Sequence, residues 1–306
     1  MRITSEMVKD LRERTGAGLM DCKAALTAAG GDMEGAVDHL RKKGLAAAAK
    51  KASRIASEGA AYAWVEGNAG TLVEINCETD FVAKTDDFAS LVKDVAALVN
   101  AKGPNDVEEA LTLPAGGGTL GEKLTEKVAK IGEKISFRRF VRFEIPAEKP
   151  GMVVPYIHAG GKIGVLVSVA GAGPGNGETV RLARDLAMQV AAANPAYVSR
   201  KDVPPGVVEH EKSIYRDQAR ASGKPDKILD KIAEGKLEKY FGDFCLLEQA
   251  FIKDPDRKVG QLLAEAGKAA GAEITVRGFA RFQVGEGMEK RSDDLAAEVA
   301  KQLGRG

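Results

Sequence analysis

The 306-residue sequence contains only three cysteines, Cys22, Cys77 and Cys245, and they are far apart. There is no Cys-x-x-Cys motif, which argues against a zinc site and a disulfide framework and fits a reducing cytosol. The sequence also lacks an uninterrupted apolar run of about 18 residues, so we expect no membrane-spanning helix. The N-terminus carries an early acid, Glu6, and no apolar segment, and so does not resemble a signal peptide. We expect a cytoplasmic protein.

Aromatic residues make up only 5% of the sequence, whereas glycine and alanine are abundant. This composition favours helices packed closely through small side chains over a large aromatic ligand pocket. The 45 basic and 44 acidic residues leave a net charge of +1. The chain therefore lacks the overall basic field that drives nonspecific binding of nucleic acids, and we expect no nucleic-acid partner. Its length predicts about two or three domains.

Residues 3–43 predict three short helices separated by glycine-containing turns. Ser5 and Asp32 are candidate N-caps of the first and third helices, and the second helix is expected to open at Met20. A bundle of about 40 residues buries little surface. Leu19 and Met20 lie on the turn before the second helix. The sequence leaves open whether they close the small core or form an exposed apolar contact for a partner.

Residues 43–57 are rich in alanine and lysine and predict a helical connector. The alternative is a polybasic patch for nucleic acid. It is weakly supported, because the four basic residues are not interleaved with aromatics.

The rest of the chain contains an internal repeat, in which each half predicts the order β-β-α-α-β. Such a half is a three-stranded antiparallel sheet with helices on one face. The first matched segments predict a β-hairpin, and the others predict helices and a closing strand. The matched pairs are 62–75 with 156–169, 91–98 with 182–189, 120–124 with 259–263, and 135–144 with 274–283.

An insertion lengthens the second half by 48 residues relative to the first. It contains residues 206–241, whose apolar spacing predicts two helices joined at 222–225 as an antiparallel hairpin. Because the apolar stripe is narrow, we expect this hairpin to project from the body. The tail, 285–306, predicts a short helix between Leu295 and Leu303.

The sequence therefore predicts an α+β fold. It consists of an N-terminal three-helix module, a duplicated core of three-stranded antiparallel sheets with helices, an inserted antiparallel helical hairpin and a C-terminal helical module. The first module with its connector is expected at 1–53. The first core half is expected at 54–146, and the second core half at 147–205 and 242–284. The hairpin is expected at 206–241 and the C-terminal module at 285–306.

Few residues suit enzyme chemistry. His39 is expected at the end of the third helix, His158 in a strand and His210 in the hairpin. No catalytic or P-loop motif is present. The glycine-rich segment 171–177 resembles a dinucleotide-binding fingerprint only superficially, because a proline interrupts it and the preceding hairpin is antiparallel. We expect no catalytic residue, no cofactor and no metal.

The segment 76–84 places an acid, Asp80, beside a large aromatic, Phe81, where the chain turns from strand to helix. Phe81 is costly to expose and Asp80 is costly to bury. In the second half the same place is taken by the glycine-rich segment 171–177, which favours a specific role for the pair. The alternative also stands: Thr79 or Asp80 caps a helix and Phe81 packs on the hairpin.

Three segments, 11–26, 76–84 and 281–287, together resemble bacterial elongation factor Ts, the family of nucleotide exchange factors for the GTPase elongation factor Tu. The resemblance spans nearly the whole chain. The segments 11–26 and 76–84 are highly specific. It implies an N-terminal module similar to a ubiquitin-associated domain, a two-part core, a protruding coiled-coil hairpin and a C-terminal module.

The resemblance implies that the protein binds elongation factor Tu with GDP and promotes GDP release, and so supports translation elongation. It implies no substrate chemistry and no direct nucleotide binding. The residues implied to dislodge Mg²⁺ from the partner are Thr79, Asp80, Phe81 and Val82. The residues implied to bind the partner are Arg12, Leu19, Met20, Ile131, Gly132 and His158.

The alternative function is an RNA- or ribosome-binding accessory protein. It would use the segment 137–143, in which Arg138, Arg139 and Arg142 lie beside Phe137, Phe140 and Phe143. Strict strand alternation places Arg138 and Arg139 on opposite faces, which predicts a core face with a charged rim and ranks this alternative second. An enzyme acting on a small molecule is disfavoured by the lack of a reactive constellation.

Overall fold

The computed structural model describes residues 3–171, 173, 175 and 177–289. The chain forms two compact units. The first comprises Met1–Ala61, Val73–Phe140 and Gln283–Gly306, and the second comprises Tyr62–Leu72 and Val141–Phe282. Helices and small sheets are mixed in the described residues, so the predicted α+β class is confirmed. No helix among these residues has the length and apolar character needed to cross a bilayer.

Three helices open the first unit: α1 (Ser5–Thr15), α2 (Leu19–Ala28) and α3 (Met33–Lys51). The cap of α1 is Thr4 and not Ser5, because the Thr4 hydroxyl accepts the amide of Met7 at 3.3 Å. Asp32 caps α3 as predicted, accepting the amide of Gly35 at 2.8 Å. The small core of these helices is formed by Val8, Leu11, Cys22, Ala25, Leu26 and Ala36.

Helix α3 is 19 residues long, so the predicted third helix and its connector form one continuous helix. His39 therefore lies within α3 and does not end it, which corrects the expectation. Gly44 does not break the helix, because it is buried where α3 packs on a later helix. The helix continues because tertiary packing outweighs the weak helix propensity of one glycine.

The first half of the repeat follows α3. Its sheet has the order β1-β2-β3, with helices between the second and third strands. The elements are β1 (Glu58–Glu66), β2 (Ala69–Cys77), α4 (Asp80–Ala83), α5 (Asp86–Lys102), α6 (Val107–Thr112), α7 (Leu120–Ile131) and β3 (Ile135–Glu144).

The second half repeats this arrangement, with a sheet of order β4-β5-β8 in which β4 and β5 are antiparallel. Helix α8 packs on β4 and β5, and α11 packs on α8. The elements are β4 (Gly151–His158), β5 (Ile163–Ala170), α8 (Gly177–Ala193), α9 (Pro205–Ala221), α10 (Asp226–Phe244), β6 (Ala250–Phe251), β7 (Asp254–Lys258), α11 (Val259–Ala270) and β8 (Thr275–Gln283).

The internal repeat is confirmed in the lengths of its helices. The matched helices α5 and α8 each have 17 residues. The matched helices α7 and α11 each have 12, and each ends at a glycine with positive φ, Gly132 at 87° and Gly271 at 63°. Glycine adopts this left-handed conformation without the steric cost of a Cβ, so both copies turn the chain at the same place.

The insertion forms the predicted helical hairpin, α9 and α10, joined at residues 222–225. One stripe of α10, with a residue every four positions, is buried, and this spacing places side chains on one helix face. Arg200 fixes the base of α10: it contacts Glu248, bonds to Glu238 at 2.9 and 3.0 Å, and lies 4.7 Å from the Phe241 ring centre. The buried stripe is Leu229, Ala233, Leu237 and Phe241.

The helix predicted in the tail lies outside the described residues. The three cysteines are buried, and none of them forms a disulfide within the described residues.

Strict alternation along β3 is wrong. The rings of Phe137 and Phe140 stack with centres 5.8 Å apart, although alternation would place them on opposite faces. The guanidinium groups of Arg138 and Arg139 both reach the carboxylate of Glu74, at 2.9 and 2.6 Å. Long, flexible arginine side chains can approach one carboxylate from neighbouring positions, which the alternation rule does not consider.

Glu74 is fully buried on β2 and connects the first sheet to the segment that follows β8. Besides the two arginines, its carboxylate accepts the amide of Gly285 at 2.9 Å and the side-chain amide of Asn76 at 3.1 Å. Burial alone would raise the pKa of Glu74, but the Gly285, arginine and Asn76 donors together outweigh it and hold the pKa below its ordinary value of 4.5. These donors therefore stabilise the ionised form of Glu74 in the folded protein.

We predict that Glu74→Gln lowers the free energy of unfolding at pH 7 by about 3 kcal/mol, the lower end for breaking a buried ion pair. The arginines are partly exposed, which limits the loss. Because the folded pKa is depressed, the stability that Glu74 adds is complete above its ordinary pKa and is lost as pH falls through the folded value. Urea unfolding from pH 7 to pH 3 tests this.

The matched control is Glu108→Gln, which changes an exposed glutamate on α6. It should leave the pH profile unchanged. The prediction fails if the wild type and Glu74→Gln lose stability in parallel on acidification, since the difference between them should shrink.

Candidate functional site

The segment from Thr79 to Thr85 turns the chain from β2 into helix through two successive caps. The Thr79 hydroxyl accepts the amide of Val82 at 3.3 Å and opens the four-residue helix α4. The Thr85 hydroxyl then accepts the amide of Phe88 at 3.3 Å and opens α5. The capping role proposed for Thr79 is therefore confirmed.

Phe81 projects from this short helix and is 79% exposed. The alternative in which Phe81 packs on the hairpin is therefore wrong. Burying a phenylalanine side chain stabilises a protein by roughly 1.5–3 kcal/mol. The fold obtains little of that energy from Phe81, so the side chain remains available to a second molecule.

Glu133 fixes the base of this segment from across the unit. Its carboxylate accepts the amides of Glu78 and Thr79 at 3.1 and 3.0 Å and the Thr79 hydroxyl at 2.6 Å. Hydrogen bonds to an ionised acceptor are the strong ones. Glu133 directly follows Gly132, whose positive φ turns the chain out of α7. Because Glu133 binds Thr79, the preceding residues Ile131 and Gly132 also lie close to Thr79.

Glu78 in turn binds the backbone just after Glu133, directly before the start of β3. Its carboxylate accepts the amide of Lys134 at 2.6 Å and the Arg54 guanidinium at 3.2 Å. The Lys134 ammonium in turn donates to the carbonyl of Arg54 at 2.9 Å. The ends of α3, β2 and α7 are therefore tied together beneath Phe81.

Asp80 is half-exposed and pairs with Lys84 at 2.6 Å, four residues along the chain. Exposed pairs of this kind contribute only about 0–1 kcal/mol. A partner that offers Asp80 a better cation can therefore displace Lys84 at little cost.

Leu19 and Met20 are exposed at the start of α2, at 54% and 71%. Helix α2 begins at Leu19, one residue earlier than predicted, and turns Cys22, Ala25 and Leu26 inward. This resolves the question left by the sequence, because the two side chains do not close the small core. Arg12 is also exposed, on α1 of the same unit.

His158 belongs to the second unit, where it is the last residue of β4 and is exposed. Its Nδ1 lies 3.0 Å from the Tyr156 hydroxyl, and the two rings stack with centres 6.0 Å apart. The neighbouring Ile157 is also exposed. The region around His158 is therefore a small surface patch with both apolar and hydrogen-bonding groups.

The sequence did not indicate that Glu133 and Glu78 hold the segment around Thr79 in place. Glu133 lies 54 residues from Thr79 in the sequence, so no local pattern could link them. The available signal was the repeat: the residue after the α7 capping glycine is Glu133 in the first half and Ala272 in the second.

Comparison with known proteins identifies the family. The family model described as "Elongation factor TS" matches residues 78–286. The chain is 51% identical over 302 residues to elongation factor Ts of Syntrophotalea carbinolica, covering 98% of this chain and 99% of that protein. It is 48% identical over 303 residues to the protein of the same name from Magnetococcus marinus, with 98% and 99% covered. It is 49% identical over 306 residues to that of Clostridium perfringens, with 99% and 100% covered. The chain belongs to the elongation factor Ts family of translation elongation factors.

Proposed function

We propose that this protein is a guanine nucleotide exchange factor, which binds elongation factor Tu with GDP and promotes the release of GDP. The observation that carries the proposal is Phe81: a large apolar side chain, 79% exposed, held on a base of charge-assisted hydrogen bonds. An exposed ring adds little to the stability of the fold, so these hydrogen bonds are not explained by folding alone. Binding of Phe81 to a partner explains them.

The segment Thr79-Asp80-Phe81-Val82 acts as a wedge against the magnesium and phosphate site of the partner. Affinity for a nucleotide in such a site depends on Mg²⁺ and on donors placed around the phosphates. Phe81 displaces the groups that shape the site, and Asp80 offers a competing anion once Lys84 is released. No bond is made or broken, so the protein acts by binding and is not an enzyme in the chemical sense.

The wedge promotes release because it binds the nucleotide-free partner better than the nucleotide-bound one. Linkage requires the reverse effect in equal measure: GDP must weaken the binding of this protein by the same factor. Arg12, Leu19, Met20, Ile131, Gly132 and His158 supply the remaining contacts with the partner. These contacts hold the two proteins together in both states, and exchange takes place in the cytoplasm.

The RNA-binding alternative is less well supported. Arg138 and Arg139 are bound to the buried Glu74, and Arg142 pairs with Glu144 at 2.6 Å. Arginines already paired with carboxylates of the same chain, one of them the buried Glu74, are poor donors to phosphates.

We predict that Phe81→Ala lowers the rate of GDP release catalysed by this protein about 10- to 100-fold, since the lost burial of roughly 1.5–3 kcal/mol corresponds to that range. The free energy of unfolding should change by less than about 0.5 kcal/mol, because the ring is exposed. Stopped-flow release of fluorescent GDP from elongation factor Tu measures the first quantity, and urea unfolding measures the second.

Phe244→Ala is the matched control, because Phe244 is also an exposed phenylalanine, at the end of α10. It should leave exchange unchanged. If Phe81→Ala exchanges GDP at the wild-type rate, or if wild-type protein does not accelerate release, the proposal is wrong.

We also predict that Glu133→Gln slows GDP release about tenfold, because an amide cannot accept all three hydrogen bonds and each charge-assisted bond contributes about 1.5–3 kcal/mol. Glu133 is a positioning residue, so Glu133→Gln combined with Phe81→Ala should be little slower than Phe81→Ala alone. The kinetic double-mutant cycle is the readout.

Glu126→Gln, an exposed glutamate on α7, serves as the control. Additive effects of the two substitutions would contradict a positioning role for Glu133 and would indicate general destabilisation instead.

A further inference from the structure

The second unit carries an open groove of about 770 Å³ beside α11 and the start of β8. Its floor is apolar, with Leu263, Gly267 and Ile274 buried. Ala264 lies on its wall and is exposed. Because the alanine side chain is small, another helix can approach this side of the groove closely.

The same positions of the repeat form a groove in the first unit, where α3 covers it. The α3 side of the contact is made by Gly44, Ala48 and Ala52, which are four residues apart and so lie on one face. A Cβ on Gly44 would lie only 3.6 Å from the Cβ of Ala129 on α7. The space left there is about 200 Å³. The matched residues are Leu124, Thr125, Val128, Lys134 and Ile135 in the covered groove and Leu263, Ala264, Gly267, Glu273 and Ile274 in the open one.

The two grooves differ in charge at one end. In the first unit Lys134 donates to the carbonyl of Arg54 at 2.9 Å, just beyond the C-terminal end of α3. A cation is favourable at this negative end of a helix. The matching residue of the open groove is Glu273, which is exposed. An occupant of the open groove must therefore bring positive charge to this end, as a helix N-terminus or as a basic side chain.

We propose that the groove between α11 and β8 binds an α-helix of a partner protein. The helix presents glycine or alanine every four residues toward Ala264 and Gly267, and its end at Glu273 is positively charged. Lys268 and Arg277 also line the groove and pair with acids on the rim of the occupant. None of the residues assigned to nucleotide exchange lines this groove, so the two surfaces are used independently.

The probe is a fluorescent peptide of residues 39–56 of this chain, which contains the small-residue face and basic residues of α3. It is stapled through its opposite face, because short isolated helices are marginal in water. Anisotropy titration with the full-length protein should give saturable binding below about 1 mM. Ala264→Trp should weaken binding at least tenfold by filling the groove. Ala269→Trp, which changes another exposed alanine of α11 outside the groove, should not.

Charge is tested separately. Glu273→Gln should weaken binding of the peptide about two- to fivefold, the range for removing one favourable charge at a helix end. Glu265→Gln, which changes a residue of α11 outside the groove, should have no effect. The proposal is overturned if the wild type shows no saturable binding up to 1 mM, if the two tryptophan variants behave alike, or if Glu273→Gln binds as tightly as the wild type. GDP release by Ala264→Trp should match that of the wild type, so its outcome is separate from that of the exchange proposal.

Discussion

The carboxylate of Glu133 is the contact on which the arrangement of the candidate site depends. A phenylalanine that is 79% exposed cannot be positioned by packing, because packing would bury it. Its backbone must be held instead, and Glu133 holds it through two amides and one hydroxyl. This requires the end of α7 and the end of β2 to lie side by side, which the left-handed turn at Gly132 and the Glu78–Lys134 bond provide.

The duplication shows which features are scaffold and which are specialised. The lengths of the matched helices are the same in both halves, and so is the left-handed glycine that ends α7 and α11. The second half lacks the acid–aromatic pair and also has Ala272 in the place of Glu133. The proposed wedge, Thr79 to Val82, and its clamp, the carboxylate of Glu133, therefore both lack a counterpart in the second half. This is expected if Glu133 serves that segment rather than the sheet. The second half differs also in leaving its α11 groove open where the first covers it with α3.

Local patterns predicted much of this fold. Apolar spacing and capping residues located the helices, and self-similarity located the strands, the hairpin and the repeat. The errors have physical causes. Ser5 was predicted as the cap of α1, but the neighbouring Thr4 carries an equivalent hydroxyl and is the cap in the structure. Helix α3 runs through Gly44 because packing on α7 outweighs propensity, which no local rule includes.

The site was predictable only in part. The motif indicated Thr79 to Val82, and the exposure of Leu19 and Met20 had to be observed because a small amphipathic bundle can orient such residues either way. Glu133 and the Glu74 network were invisible because their partners lie far away in the sequence; Glu74 and Gly285 are separated by 211 positions. Contacts of this kind form only when distant parts of the chain come together in the fold, so no single segment predicts them.

Rigidity explains how so small a wedge can act in the proposed mechanism. Ordering a flexible side chain at an interface costs about 0.5–1.5 kcal/mol, and ordering its backbone costs more. Glu133 orders the backbone of this segment when the protein folds, so the ordering does not weaken binding to the partner. The binding energy at Phe81 is then available to discriminate between the nucleotide-free and nucleotide-bound partner. Contacts made equally in both states, such as those proposed for Leu19 and His158, raise affinity but cannot shift the equilibrium. The rate of exchange should therefore respond to the segment from Thr79 to Val82 and its clamp far more steeply than to the rest of the contact surface.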